Sequence, residues 1–205
     1  MLAYVFWHRP HDGSALEAYE QAQIAFHRSL ARTPPVGLCG SAVFRVAELP
    51  WLPATADGEG RQLAVEAAYE DWYLVEDYTA LGVLNEAAVG RGHRTTHDEA
   101  ARRFGSGAGG LYGLLEGEPD ASLLSEASLA IWVTRPPGST QRALGELLGD
   151  GIEPGHASLW RRQLVLGPAP ELCLLAREAP AGVQPTRLPD GWSARTLDRE
   201  ALWSG

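Results

Sequence analysis

Three side chains in this sequence have the types and spacing to act together as base, orienting acid and anion clamp. His8 closes a run of alternating aromatics with Tyr4 and Phe6, Asp71 sits between Tyr69 and Tyr73 at the same spacing of two, and Arg45 shares a strand face with Ser41 and Val43. Alternate residues of a strand point to one side, so each polar group keeps the company of its own alternating neighbours. A carboxylate beside an imidazole fixes its tautomer and raises its pKa, as a general base requires. A guanidinium binds an anion or stabilises an enolate-like charge. The expected catalytic set is therefore His8, Asp71 and Arg45. In the competing reading Arg45 and Asp71 are a structural ion pair, because a buried charge must be paired.

Other chemistries lack their residues. All 17 basic side chains are Arg and none is Lys, which removes Schiff-base catalysis and a phosphate-binding loop of the Walker type. Two cysteines, Cys39 and Cys173, make neither a disulfide framework nor a CxxC metal or redox motif. His93 and His97 are four apart, but Gly90 and Gly92 break the first helix and Thr96 would cap the next, so no shared metal-binding face is expected. His27 lies at the border of a helical apolar stripe and reads as a packed residue. His156 is the sole His in the C-terminal half and sits in a turn, which argues against a haem ligand. No metal and no cofactor are expected.

The chain has 205 residues, 45% of them hydrophobic and 21% charged, with a formal charge of −9. That is a globular balance, and the acidic excess argues against nucleic acid or an anionic membrane as partner. The N-terminus lacks the features of a signal peptide and no apolar run could span a bilayer, so a cytoplasmic location is expected. The bias toward Ala, Gly, Leu and Arg, with Asn85 the lone Asn, suggests a GC-rich bacterial source.

The elements that must position these residues follow from pattern. Residues 2–9 read as a strand, and Ser14 with Glu17 forms a capping box for a helix to about Arg32. Tyr19, Gln23, Phe26 and Leu30 share its stripe. Strands are expected at 38–47 and 69–76, a loop at 48–68, a helix at 79–90, and a second helix from His97 capped by Thr96. GSGAGG at 105–110 would end that helix and turn the chain into a strand at 111–115. Trp51 would close over a cavity mouth or merely anchor its loop.

The second half repeats the plan. LAIWVTRP at 129–136 echoes the first strand, with Arg135-Pro136 against Arg9-Pro10 and Gly138-Ser139 against Gly13-Ser14. A helix is expected at 140–149 and strands at 157–166, 171–177 and 192–198. Ser158 and Arg162 match Ser41 and Arg45, and the Pro/Gly-rich 179–191 replaces the second helix. The fold class expected is α+β: tandem ferredoxin-like β-α-β-β-α-β units, the second degenerate, at 1–120 and 121–205, forming one compact domain.

On the paired strands FWHRP and IWVTRP, and on YEDWYLVED followed by a helix, the chain resembles the dimeric α/β-barrel superfamily with both halves fused. That resemblance implies two sheets closing around a central cavity. Members include cofactor-independent oxygenases, haem-binding and isomerase-like proteins, and fold alone does not choose among them.

In such a barrel Ala3, Val5, Trp7 and Arg9 would pack under helices, and Tyr4, Phe6 and His8 would line the cavity. Pairing Phe6 with Tyr73 would set His8 beside Asp71, with Arg45 near Tyr69 or Asp71. The ligand expected is planar or aromatic, held by Tyr4, Phe6, Ser41, Tyr69, Tyr73, Trp132 and Arg162. The function expected is a small-molecule enzyme or binder; a cofactor-independent oxygenase- or isomerase-like activity and a homo-oligomer are the finer expectations. The alternative is a non-catalytic structural or interaction protein whose barrel is filled by its own side chains.

Overall fold

A computed structural model describes residues 1–11, 14–52, 67–90, 92–118, 121–127, 129–140, 142–143, 156–165, 169–178 and 188–205. The elements run β1 (Leu2–Pro10), α1 (Leu16–Arg32), β2 (Leu38–Val46), β3 (Ala68–Val75), α2 (Tyr78–Val89), α3 (Arg94–Ala101), β4 (Phe104–Gly117), α4 (Ala121–Glu126), β5 (Leu129–Thr134), β6 (Ala157–Val165), β7 (Leu172–Ala176) and β8 (Ser193–Ser204). The expected helix over 140–149 and most of the segments 48–68 and 179–191 lie outside the described residues.

The eight strands form one closed barrel in the order β1-β3-β2-β8-β5-β7-β6-β4. Every described pairing is antiparallel. This corrects the expected tandem ferredoxin-like sandwich: the fold is a mostly β, closed antiparallel barrel with few helices. Closure comes from hydrogen bonding around the ring, where β8 joins β2 and β4 joins β6, and it leaves no open sheet edge to be covered. Among the described residues no helix is long and apolar enough to cross a membrane.

The barrel interior is solid. Trp7, Trp72, Trp132, Trp160, Tyr112 and Phe44 fill it with Ala3, Val5, Ala42, Ala130 and Leu175. The Trp rings meet edge-on, Trp7 with Trp132 at 5.2 Å and Trp72 with Trp160 at 5.9 Å between centroids, a favoured aromatic arrangement. Trp51 belongs to this core, 5.5 Å from Trp7 and 5.4 Å from Trp132, so it anchors its loop in the barrel. Two charges share the interior. Glu70 accepts from Trp7 Nε1 at 2.9 Å and Trp72 Nε1 at 2.8 Å, and Arg199 Nε lies 3.2 Å from Glu70 Oε1. The Arg199 guanidinium also covers the Phe44 ring at 3.5 Å.

This packing inverts the expected faces. Ala3, Val5 and Trp7 point into the barrel, while Tyr4 packs with the cluster formed by α1, α2 and α3. A ligand in the barrel centre is thereby corrected, since side chains occupy it. Trp7 and Trp132 both point inward, so the halves align one residue away from the match of Arg9 with Arg135. The match of Ser158 with Ser41 slips likewise, because Trp160 is inside with Phe44.

Local starts and stops also differ. Ala15, and not Ser14, is the N-cap of α1, with no side-chain cap bond. α3 begins at Arg94 behind His93, and Thr96 Oγ1 donates back to the His93 carbonyl at 2.9 Å. The GSGAGG run is strand: it lies in the first part of β4, paired along β1 from Arg9 to Val5. The reason is room. A Cβ on Gly107 would stand 2.6 Å from Phe6 Cζ, and one on Gly109 would stand 2.9 Å from the Tyr4 hydroxyl. The glycines let two large rings lie flat on the barrel wall.

Candidate active site

The outer face of β1 and β3 carries the polar cluster, and α1 lies across it. β1 pairs with β3 so that Tyr4 faces Tyr73, Phe6 faces Asp71 and His8 faces Tyr69. That is a two-residue shift from the expected register, so the residues keep their shared face. His8 is fully buried and Asp71 is 1% exposed. His8 Nε2 lies 3.1 Å from Asp71 Oδ1.

A second imidazole approaches from the helix. His27 of α1 is fully buried, with Nε2 3.6 Å from Asp71 Oδ2 and Nδ1 2.9 Å from Ser41 Oγ. Asp71 is thus flanked by two histidines. The Tyr73 hydroxyl donates to Asp71 Oδ2 at 3.2 Å, and the Tyr19 hydroxyl sits on His8 Nδ1. The rings hold these positions by stacking: His8 on Tyr69 at 5.5 Å and His27 on Tyr73 at 5.0 Å.

The electrostatics follow from this arrangement. Burial pushes the Asp71 carboxyl up, but the adjoining imidazoles, His8 first and then His27, outweigh it and hold Asp71 well below the usual carboxylate range. Tyr73 and Tyr19 move the other way, first through burial and then through the Asp71 charge, so both phenols stay protonated.

Asp71 stands in the wall of a cavity of about 530 Å³, a volume suited to a small molecule. It lies between the barrel wall and the helices. Tyr4, Phe6, Tyr73 and Phe104 form its floor, and Gln23, Phe26, Leu84 and His97 are among the helical residues that roof it. The lining is mainly aromatic and aliphatic, with Asp71 as its carboxylate.

Of the residues expected from sequence, His8 and Asp71 come together, and Tyr4, Phe6 and Tyr73 line the cavity. Arg45 does not join them. It is 40% exposed, donates to Glu20 Oε1 at 2.9 and 2.6 Å, and pairs with Glu200 at 2.7 Å. This corrects the polar row of three. Tyr69 stacks on His8 and donates to Glu20, and Ser41 serves His27, so both sit behind the wall. Trp132 is in the barrel core, and Arg162 of β6 donates to the Ala169 carbonyl. Neither lines the cavity.

Sequence reading missed His27 and Tyr19 as partners of the cluster. Their signal was position: Tyr19, Gln23 and His27 recur every fourth residue of α1, which places them on one helical face. His93 is turned away, bonded to Ser29 Oγ at 2.6 Å and to the Thr33 carbonyl at 3.1 Å, while His97 lines the cavity. Among the described residues no group of three or more His, Cys, Asp or Glu side chains is disposed to hold a metal ion.

No protein-family model matches the chain, and no curated protein matches it. Solved structures do. An anthrone oxidase-like protein superimposes with a TM-score of 0.53 at 10% identity, covering 100% of this chain and 92% of that one. A candidate monooxygenase from Lactobacillus acidophilus NCFM gives 0.52 at 8% identity, covering 97% and 93%. At these identities the likeness is one of fold.

Proposed function

We propose that this protein is a small-molecule oxygenase that takes a flat, carbonyl-bearing aromatic into the cavity between barrel and helices. One observation carries the reading: a buried carboxylate flanked by two imidazoles stands in the wall of a mainly aromatic and aliphatic cavity. The names of the two structural neighbours, anthrone oxidase-like and candidate monooxygenase, agree with it.

The chemistry needs a base and an oxidant. A CH₂ group activated by a neighbouring aryl ketone lies against Asp71. A carboxylate held so acidic is a weak base, so it hands the proton on to the imidazole behind it. The electron pair left on carbon spreads onto the ketone oxygen. Molecular oxygen takes up these electrons, bonds to the carbon and regains the proton as a hydroperoxide. Loss of water then leaves a new carbonyl, so that CH₂ and O₂ become C=O and H₂O. No organic cofactor enters this scheme. The imidazole that receives the proton acts as the general base behind the carboxylate.

The test is turnover of anthrone in air, followed as anthraquinone and corrected for the rate in buffer, with ¹⁸O₂ to trace the inserted oxygen. The wild type should exceed buffer and place ¹⁸O in the new carbonyl. His8→Gln and Asp71→Asn should each lower kcat by about 10²-fold, with KM little changed. A wild type no faster than buffer on anthrone and its hydroxylated forms, or full activity in both variants, would overturn the proposal.

A further inference from the structure

Gln23 is the one amide side chain on the barrel-facing stripe of α1. It follows Tyr19, which bonds His8, by four residues, and precedes His27, which bonds the Asp71 side, by four. Helical geometry therefore places Gln23 between the two contacts, over the carboxylate. It is 1% exposed, it stands in the cavity wall, and its Nε2 meets no hydrogen-bond partner among the described residues.

A buried amide N–H without a partner is costly, and native folds keep few of them. Here the stripe would accept a Leu or Met of similar volume without that cost, since its neighbours Phe26 and Leu30 are apolar. Asp71 stands in the same wall, with its Oδ1 turned to His8 Nε2 at 3.1 Å. The wall thus holds one unfilled donor beside an ion-paired carboxylate.

We infer that Gln23 is a specificity-determining residue whose amide N–H binds a carbonyl or enolate oxygen of the ligand while Asp71 receives the adjacent proton. The ligand class is then a planar keto-aromatic with a donor near its carbonyl, and a hydrocarbon of the same outline is discriminated against. This rests on the cavity proposed above as the active site. It adds an oxyanion partner, because the N–H gains strength as charge builds on the ligand oxygen.

Equilibrium binding separates this from the oxygenase reading, because it requires no turnover. The probes are 1,8-dihydroxyanthraquinone, followed by its visible absorption, and anthracene, followed by its fluorescence. The wild type should prefer the quinone. Gln23→Leu should weaken quinone binding about tenfold, the loss of one good hydrogen bond, and leave anthracene binding equal or tighter. The unliganded variant should melt no lower than the wild type, because an unpartnered buried group has gone. Gln23→Met repeats the test should Leu fold poorly.

Equal loss of both probes, no change in either, or no binding of the quinone by the wild type would each overturn the inference. Discrimination by Gln23 in a protein that never oxidises anthrone would sink the oxygenase reading and leave this one standing.

Discussion

Taking a carboxylate out of water costs several kcal/mol unless its surroundings replace the solvent, and Asp71 is 1% exposed. Two imidazoles and a tyrosine hydroxyl supply that replacement. The consequence is a linkage to pH. The folded carboxyl is more acidic than the unfolded one, so its charge stabilises the fold at pH above the unfolded value and ceases to do so as pH falls toward the folded one. Asp71→Asn should therefore lower stability by about 3 kcal/mol near neutrality. The gap in Tm between the two proteins should close as the pH drops below about 4, the ordinary Asp value. Calorimetry across pH 2–7 checks this, and a gap that stays constant to pH 2 would show that the charge is not the source of the stabilisation.

At the scale of elements, the aromatic floor depends on the glycines of β4. Gly107 lies directly under Phe6, where a Cβ would come within 2.6 Å. Gly107→Ala should tip Phe6 into the cavity, cost about 1–3 kcal/mol and weaken quinone binding. Thermal melts with absorbance titration measure both, and unchanged binding would mean the ring has another place to go.

Most strands were legible in the sequence, because alternation at spacing two is set by the pleat, but the glycine-rich start of β4 and the end of β8 were not. Which face turned inward was not. All eight residues of β3 are buried, and β1 is buried or half-buried throughout, so polarity cannot separate its faces. Tyr4 and Phe6 look as suited to a barrel core as Val5 and Trp7. The grouping of His8 with Asp71 survived because the register erred by two residues. Arg45 was misjudged because its partners, Glu20 and Glu200, come from α1 and β8, and no strand pattern foretells a contact with a helix. Gln23 stood in an apolar stripe, and that misplaced polarity was the available sign.

For the whole molecule, the interior combines a dense aromatic packing with one ion pair, Glu70 and Arg199, both fully buried. Removing one partner strands a charge inside the barrel. Glu70→Leu alone should cost about 3–5 kcal/mol, whereas Glu70→Leu with Arg199→Leu should recover most of that loss. Urea unfolding of the wild type, both singles and the double variant closes the cycle, and a double variant as unstable as the worse single would show that the two charges do not act as a pair. Arg199 lies on β8, and β8 bridges β2 and β5, so the Glu70 partner reaches the barrel only when that strand docks. Ala42 pairs with Ser204 and Val43 with Trp203, residues far apart along the chain. Such distant pairings form slowly. On the ribosome, β1, β2 and β3 emerge early and must wait with Trp7, Trp72 and the bare Glu70 carboxylate uncovered until residues 193–204 have been made. The nascent chain should accordingly be a client for chaperones that shield aromatic surface, and the timing of translation across its second half should govern how much of it reaches the closed barrel.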